Sequence, residues 1–177
     1  YAVYHGPKGL INIAKDINTK AISFKKALEN AGIKTLNDNI FDTISFKANK
    51  TLIKQTTELN KINLGYLDDT LQISIDEKTT WKDLGRLSIA LSSALKVNIS
   101  IKQLDGIKNS FFRNDTILKH DVFNSYHSET EMMRYLKKLE NKDISLTNSM
   151  ISLGSCTMKL NAAAQLIPIS FPEFTDI

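Results

Sequence analysis

The stretch Ser152 to Ala164, SLGSCTMKLNAAA, gathers hydroxyls, a thiol, an amine and an amide around one glycine. Gly154 permits close backbone approach, Ser155 and Thr157 can donate or accept hydrogen bonds, and Lys159 and Asn161 supply donors suited to a carboxylate or phosphate. Such a loop can bind an anion. The same residues also describe an ordinary hydroxyl-rich loop around a buried thiol, because Ser, Asn and Gly are common turn formers and free cysteine packs well in apolar surroundings. Spacing alone leaves both readings open. Cys156 is the single cysteine of the 177 residues. That excludes an internal disulfide framework and any thiolate-rich metal cluster, and it suits a reducing compartment.

A second group with chemical potential is His127, which immediately precedes Ser128, Glu129, Thr130 and Glu131. The S-x-x-E spacing is that of a capping box, in which the serine oxygen accepts from the third backbone N–H and the glutamate reaches back to the serine N–H. Ser128 therefore starts a helix. Met132, Met133, Leu136 and Leu139 form its apolar side, and Lys137, Lys138 and Glu140 its wet one. A neutral His127 at that helix start can face a site or merely cover the capping turn. Glu129 and Glu131 favour the positive helix end.

The elements that must hold these residues can be read from periodicity. Leu10, Ala14, Ile17, Ala21, Phe24 and Leu28 fall at steps of four and three, one face of a helix over Pro7 to about Asn30. Pro7 suits the first turn and Gly32 the stop. Ile40, Ile44 and Phe46 alternate with Thr43 and Ser45 as in a half-buried strand. A second helix is predicted over Lys50 to Asn60, then extended segments near Lys61 to Tyr66 and Leu71 to Ile75. Thr79 or Thr80 caps a third helix whose stripe is Trp81, Leu84, Leu87 or Ser88, and Leu91. These make a two-layer unit of residues 1–95, followed by a loosely patterned connector, 96–126, with one short helix. The last part, 127–177, holds the Ser128 helix, the Gly- and Ser-punctuated loop, a short helix ending before Pro168 and an extended exit.

Composition bounds the partners. With 42% hydrophobic and 24% charged residues the chain can bury a core of ordinary kind. The net charge is +4, but the lysines are scattered through Asn- and Ile-rich sequence and form no patch for nucleic acid. No run approaches the roughly 20 apolar residues of a membrane helix, and the opening lacks the layout of a signal peptide. Tyr1 at the start and FPEFTDI at the finish read as cut ends.

Four separated stretches share the order and spacing of one family: YAVYHGPKGL at the start, FDTISF from Phe41, ISIDEKTT from Ile73 to Thr80, and YHSETEMMRYLKKLENKDISLTNSMISLGSCTMKLNAAAQLIPISFPEF from Tyr126. Together they resemble the glycine cleavage system P-protein family over nearly the whole chain. The resemblance implies an α/β protein, α+β within this stretch, built on the fold of type-I pyridoxal-phosphate enzymes. Such members have two homologous halves, of which only the second carries the cofactor lysine. Residues 1–95 then correspond to the small domain closing the first half, and 127–177 to the arm opening the second. The Schiff-base lysine lies beyond this chain, so no catalytic residue is expected within it.

The implied activity is decarboxylation of glycine with transfer of the aminomethyl group to the lipoyl arm of the H-protein. Implied partners are glycine, the lipoylated H-protein, the other half of the P-protein and a second copy in a homodimer. The implied location is the cytoplasm of a bacterium or the mitochondrial matrix of a eukaryote. Ser155, Cys156 and Thr157 become candidates for the wall around pyridoxal phosphate, and Lys159, Asn161 and His127 for the side facing glycine. Lys159 serves there as a charge at the mouth of the site or as an ion-pair partner. His5 and Lys8 read as structural.

Three positions depart from the family pattern. Gly65 stands where Arg is usual and so lacks a bidentate donor, Ser152 replaces Pro, and Lys78 replaces Thr. A different class, a stand-alone dimerisation or docking module without catalysis, accounts for the same small domain.

Overall fold

The computed structural model describes residues 1–104, 113, 115–143, 145 and 162–175. Helix α1 spans Ala2–Asn30 with one break, at Gly6, whose φ of 62° and ψ of −179° are not helical. The continuous part therefore begins at Pro7, which fixes a helical φ and needs no partner for its missing N–H. Ala21, Phe24 and Leu28 are fully buried along the stripe read from sequence. At the far end Gly32, with φ 82°, follows the last turn. Its N–H donates to the Glu29 carbonyl at 3.0 Å and that of Ile33 to the Leu28 carbonyl at 2.9 Å. This pair satisfies two orphan carbonyls as in a Schellman ending.

Strands β1 (Thr43–Lys47), β2 (Gly65–Leu67) and β3 (Thr70–Ser74) form an antiparallel sheet in the order β1-β3-β2. Ile44 pairs with Ile73, and Phe46 and Tyr66 both pair with Leu71. One face of the sheet thus carries the apolar side chains. Helices α2 (Lys50–Leu59) and α3 (Trp81–Leu95) complete the second layer with α1. Phe24, Leu28, Ile44, Phe46, Ile53, Leu71, Leu84 and Leu91 meet in one core. Inside it the Thr57 hydroxyl, wholly buried, lies 2.8 Å from the Tyr66 hydroxyl and donates to the Ile53 carbonyl at 3.0 Å. The polar atoms are paired, so their hydrogen bonds offset the cost of burying them.

The opposite sheet face is more covered than alternation predicts. Ser45 is 7% exposed because the segment after α1 folds over it. The Leu36 N–H donates to the Ser45 carbonyl at 2.7 Å, and the Ser45 N–H to Asn37 Oδ1 at 3.2 Å.

Beyond α3 the core continues. Lys96 turns into the left-handed region with φ 56°, Ile99 is buried, and the Leu104 N–H donates to Ser23 Oγ at 3.1 Å. A 3-10 turn follows at Asp121–Phe123, then helix α4 at Glu129–Glu140. Near the end a 3-10 helix, Ala163–Ser170, passes through Pro168, and a helical turn, α5, occupies Pro172–Thr175. Here the sequence expectation is corrected: the short helix runs past Pro168 and the exit is helical. Proline supplies φ close to the 3-10 value, and at Pro172 it stands where a first turn needs no donor. The architecture is α+β.

Candidate functional site

Of the residues singled out for chemistry, His127, His5 and Lys8 are described. Ser155, Cys156, Thr157, Lys159 and Asn161 lie outside the described residues, as do Ser152 and Gly154. The described site residues gather at the root of α4, where it meets the opening turn of α1.

Three local devices build that root. Ser128 caps α4: its hydroxyl accepts from the Glu131 N–H at 3.3 Å and donates to Glu131 Oε2 at 2.8 Å, while its own N–H donates to the same oxygen at 3.3 Å. The predicted capping box is formed. These donors, the Ser128 hydroxyl foremost, hold the Glu131 carboxyl below the usual carboxylate range. Next, the Tyr126 and Tyr135 rings stack with centroids 4.1 Å apart and planes at 15°. Before both, the Phe123 N–H donates to the His120 carbonyl at 3.0 Å and Asn124 Nδ2 to the Leu118 and His120 carbonyls at 3.1 Å each, closing the 3-10 turn.

His127 joins this root to the body. Its Nδ1 lies 2.8 Å from the carbonyl oxygen of Tyr4. A carbonyl can only accept, so Nδ1 carries the proton and, in the neutral ring, Nε2 is the acceptor. The ring lies over Gly6: a Cβ there would stand 2.6 Å from His127 Cε1 and 2.9 Å from the Phe123 carbonyl oxygen. Only glycine fits. Its conformation, φ 62° with ψ −179°, is likewise one that side chains disfavour. His5 is committed elsewhere, with its ring centroid 4.3 Å from that of Tyr1 and 5.5 Å from that of Tyr4. The Tyr1 hydroxyl donates to Glu77, which raises the phenol above its ordinary value. Lys8 is exposed.

The other family-like stretches are scaffolding where they are described. In ISIDEKTT, Asp76 Oδ1 accepts from the Lys78 N–H at 3.0 Å, the Thr79 N–H at 2.8 Å and the Thr79 hydroxyl at 2.7 Å. Thr80 then caps α3 through a reciprocal box with Asp83, whose Oδ2 accepts from the Thr80 N–H at 2.9 Å. Of the two threonines weighed from sequence, Thr80 is the cap. In FDTISF the Asp42 carbonyl accepts from Ile75 at 3.1 Å, and Asn18 Nδ2 ties Phe41 to α1 at 2.7 Å. Gly65 opens β2 opposite Gln72 and borders a cleft of about 300 Å³ that Asn63, Asp83 and Arg86 also line. Arg86 Nη2 donates to the Asn60 carbonyl there at 2.9 Å.

Most of the apolar side of α4 is uncovered among the described residues, Met132 alone of the four being half-buried. Met133 is 64% exposed, Leu136 53% and Leu139 40%, and the helix contains no buried residue. The stripe is built as read from sequence, yet it faces outward. Toward the end of the sequence Ile169 and Phe174 are exposed as well. Among the described residues no helix is long and apolar enough to cross a membrane, and no group of three or more His, Cys, Asp or Glu side chains could hold a metal ion.

Sequence reasoning missed Tyr4 as the partner of His127, and the close approach of Gly6 to the His127 ring and the Phe123 carbonyl. The Gly6-Pro7 pair was the local signal available, since a glycine before a helix-starting proline marks a break in direction.

A two-layer α+β domain with an outlying capped helix is thus the class of protein that the fold defines, and sequence comparison narrows it. The pattern of the family described as "Glycine cleavage system P-protein" matches residues 1–91. The chain belongs to that family. It is 48% identical over 180 residues to the "Glycine dehydrogenase (decarboxylating)" of Christiangramia forsetii, covering 98% of this chain and 19% of that protein. It is 43% identical over 182 residues to the protein of the same name from Flavobacterium johnsoniae and 45% identical over 185 residues to that of Aliivibrio fischeri, each covering 100% of this chain and 19% of the relative. The chain thus spans about 19% of the length of these curated relatives.

Proposed function

We propose that this chain is the stretch of a pyridoxal-phosphate-dependent glycine decarboxylase where its two homologous halves meet. Residues 1–95 close the first half as its small domain in a fold-type-I architecture, 96–126 connect, and 127–177 open the second half as an arm. The observation that carries this reading is the family match over residues 1–91 together with 48% identity that continues along 98% of the chain, through the arm. The uncovered apolar side of α4 supports it, because an arm packs on a surface supplied by other parts of the protein.

The whole protein takes glycine, releases carbon dioxide and passes the aminomethyl group to the lipoyl arm of the H-protein. Pyridoxal phosphate, when bound, supplies the sink for the electron pair that carbon dioxide leaves behind. The lysine that holds it lies outside this chain. The share of the present residues is to line and close the site. Ser155, Cys156 and Thr157 form part of the wall, with hydroxyls suited to an anionic group, and Lys159 and Asn161 present donors to the glycine carboxylate. A closed wall keeps out water that would deliver stray protons. Among the described residues only His127 was expected to face such a site, and its Nδ1 is already spent on Tyr4.

The other half of the protein and a second copy are the structural partners, and the working location is the cytoplasm for a bacterial source. The chain alone is catalytically silent. Mixing it with pyridoxal phosphate, reducing with borohydride and mapping the peptides tests this division of roles. The expected result is no stoichiometric pyridoxyl adduct at any one lysine; full labelling of Lys159 would overturn it. The exposed Met133, Leu136 and Leu139 also suit a stand-alone docking module. In that case the chain forms a stable dimer by sedimentation, and Leu136→Lys dissolves it.

A further inference from the structure

We infer that His127 is a positioning residue: through Nδ1–H it clamps the root of α4 to the carbonyl of Tyr4, and Gly6 is the socket that lets the ring sit there. The inference stands on geometry and does not depend on the reaction proposed above. Three observations converge on it. The Nδ1 to oxygen distance of 2.8 Å joins residues 123 apart in sequence, so local chain geometry does not bring them together. The socket is shaped for the ring, since a Cβ on Gly6 would meet both His127 Cε1 and the Phe123 carbonyl at under 3.0 Å. And the residues on either side of His127 are fixed by unrelated means, the Tyr126–Tyr135 stack and the Ser128–Glu131 box, so the imidazole is held from its backbone as well as from its tip.

The consequence is a fixed tautomer. An imidazole with no special partner exchanges its proton between the two nitrogens, and a strong acceptor at one position selects that N–H. Here the selected neutral form is Nδ1–H, with Nε2 the bare acceptor. The clamp sets the angle at which α4 leaves the two-layer domain, because α4 begins two residues after His127 and its first turn is rigidly capped. A side chain that only filled space would not care which ring nitrogen bore the proton. A clamp does.

The tests use the full 177-residue chain. With histidine labelled in nitrogen-15 and the pH held at ~8.5, about two units above the ordinary imidazole value, His127 is expected to show a protonated Nδ1 and a bare Nε2. His120, exposed like His127 but without a carbonyl on its ring among the described residues, serves as the comparison. Two replacements then separate clamp from filler, because asparagine places an N–H near the position of Nδ1 whereas glutamine places it near that of Nε2. His127→Asn keeps the amide shifts of residues 121–131 near those of the wild type. His127→Gln moves them, and it raises amide exchange at Phe123 and Asn124 by about fivefold, the effect of one net hydrogen bond. A wild-type His127 protonated at Nε2 would overturn the inference. So would equal behaviour of the Asn and Gln variants, whether both hold or both fail.

Discussion

Replacing Gly6 by alanine probes the junction between domain and arm more sharply than any core mutation. The alanine meets two separate penalties. Its backbone must hold φ 62° with ψ −179°, a conformation that costs an L residue about 1–3 kcal/mol. Its Cβ must also stand 2.6 Å from His127 Cε1 and 2.9 Å from the Phe123 carbonyl, and the cheapest relief is for the exposed ring to swing out. That forfeits the bond to Tyr4, worth about 1 kcal/mol net. Keeping the native junction thus costs about 2–4 kcal/mol in sum. The core of Phe24, Phe46, Ile53 and Leu91 does not include this turn, so the chain can avoid the cost by letting the arm root go. The loss in global unfolding is then capped at the worth of the clamp itself, about 1 kcal/mol. Proton–nitrogen correlation spectra and urea unfolding measure the two quantities separately. Resonances of residues 121–131 should move widely while those of Ile44, Leu71 and Leu91 stay, with a modest drop in midpoint. Unchanged spectra would refute the close approach at Gly6. A global loss above about 4 kcal/mol would refute the separation of junction from core.

Other substitutions divide along the same line. Phe24→Ala should lower the unfolding free energy by about 3–5 kcal/mol, the largest single effect, because the side chain is fully buried at the centre of the core; urea titration checks it. Thr80→Ala should cost about 1 kcal/mol in the same titration, whereas Ser128→Ala should leave the domain midpoint alone and reduce only the helical signal of α4, which buries nothing. The Asp83 carboxyl is held below its ordinary value, chiefly by the Thr80 hydroxyl, and that of Asp76 chiefly by the Thr79 hydroxyl. A lowered folded value means a contribution complete above the unfolded value, about 3.9, and lost as pH falls through the folded one. The stability gap between wild type and Asp83→Ala should therefore be constant near neutrality and narrow below about pH 4.

Much of this architecture was legible because its signals are local. The spacing of Ala21, Phe24 and Leu28, the Gly32 ending of α1, a threonine cap on α3 and the box at Ser128 all arise within a few residues, and all are formed. Covering of Ser45 was not legible, because it depends on Leu36 and Asn37 folding back over β1. Nor was the clamp, since nothing near His127 in sequence points to Tyr4. Pro168 misled in the other direction: proline breaks an α-helical ladder, but a 3-10 segment accommodates its fixed φ. The anion-binding reading of Ser155, Thr157, Lys159 and Asn161 rests on residue types, and those positions lie outside the described residues.

In the role proposed above, this chain contributes lining and an arm to glycine decarboxylation and depends on the rest of the protein for the amine that anchors the cofactor. The most direct measurement is release of labelled carbon dioxide from carboxyl-labelled glycine, with pyridoxal phosphate and lipoylated H-protein present, by the 177-residue chain and in parallel by the full-length protein. Release is expected from the full-length protein alone. Turnover by the isolated chain would contradict it.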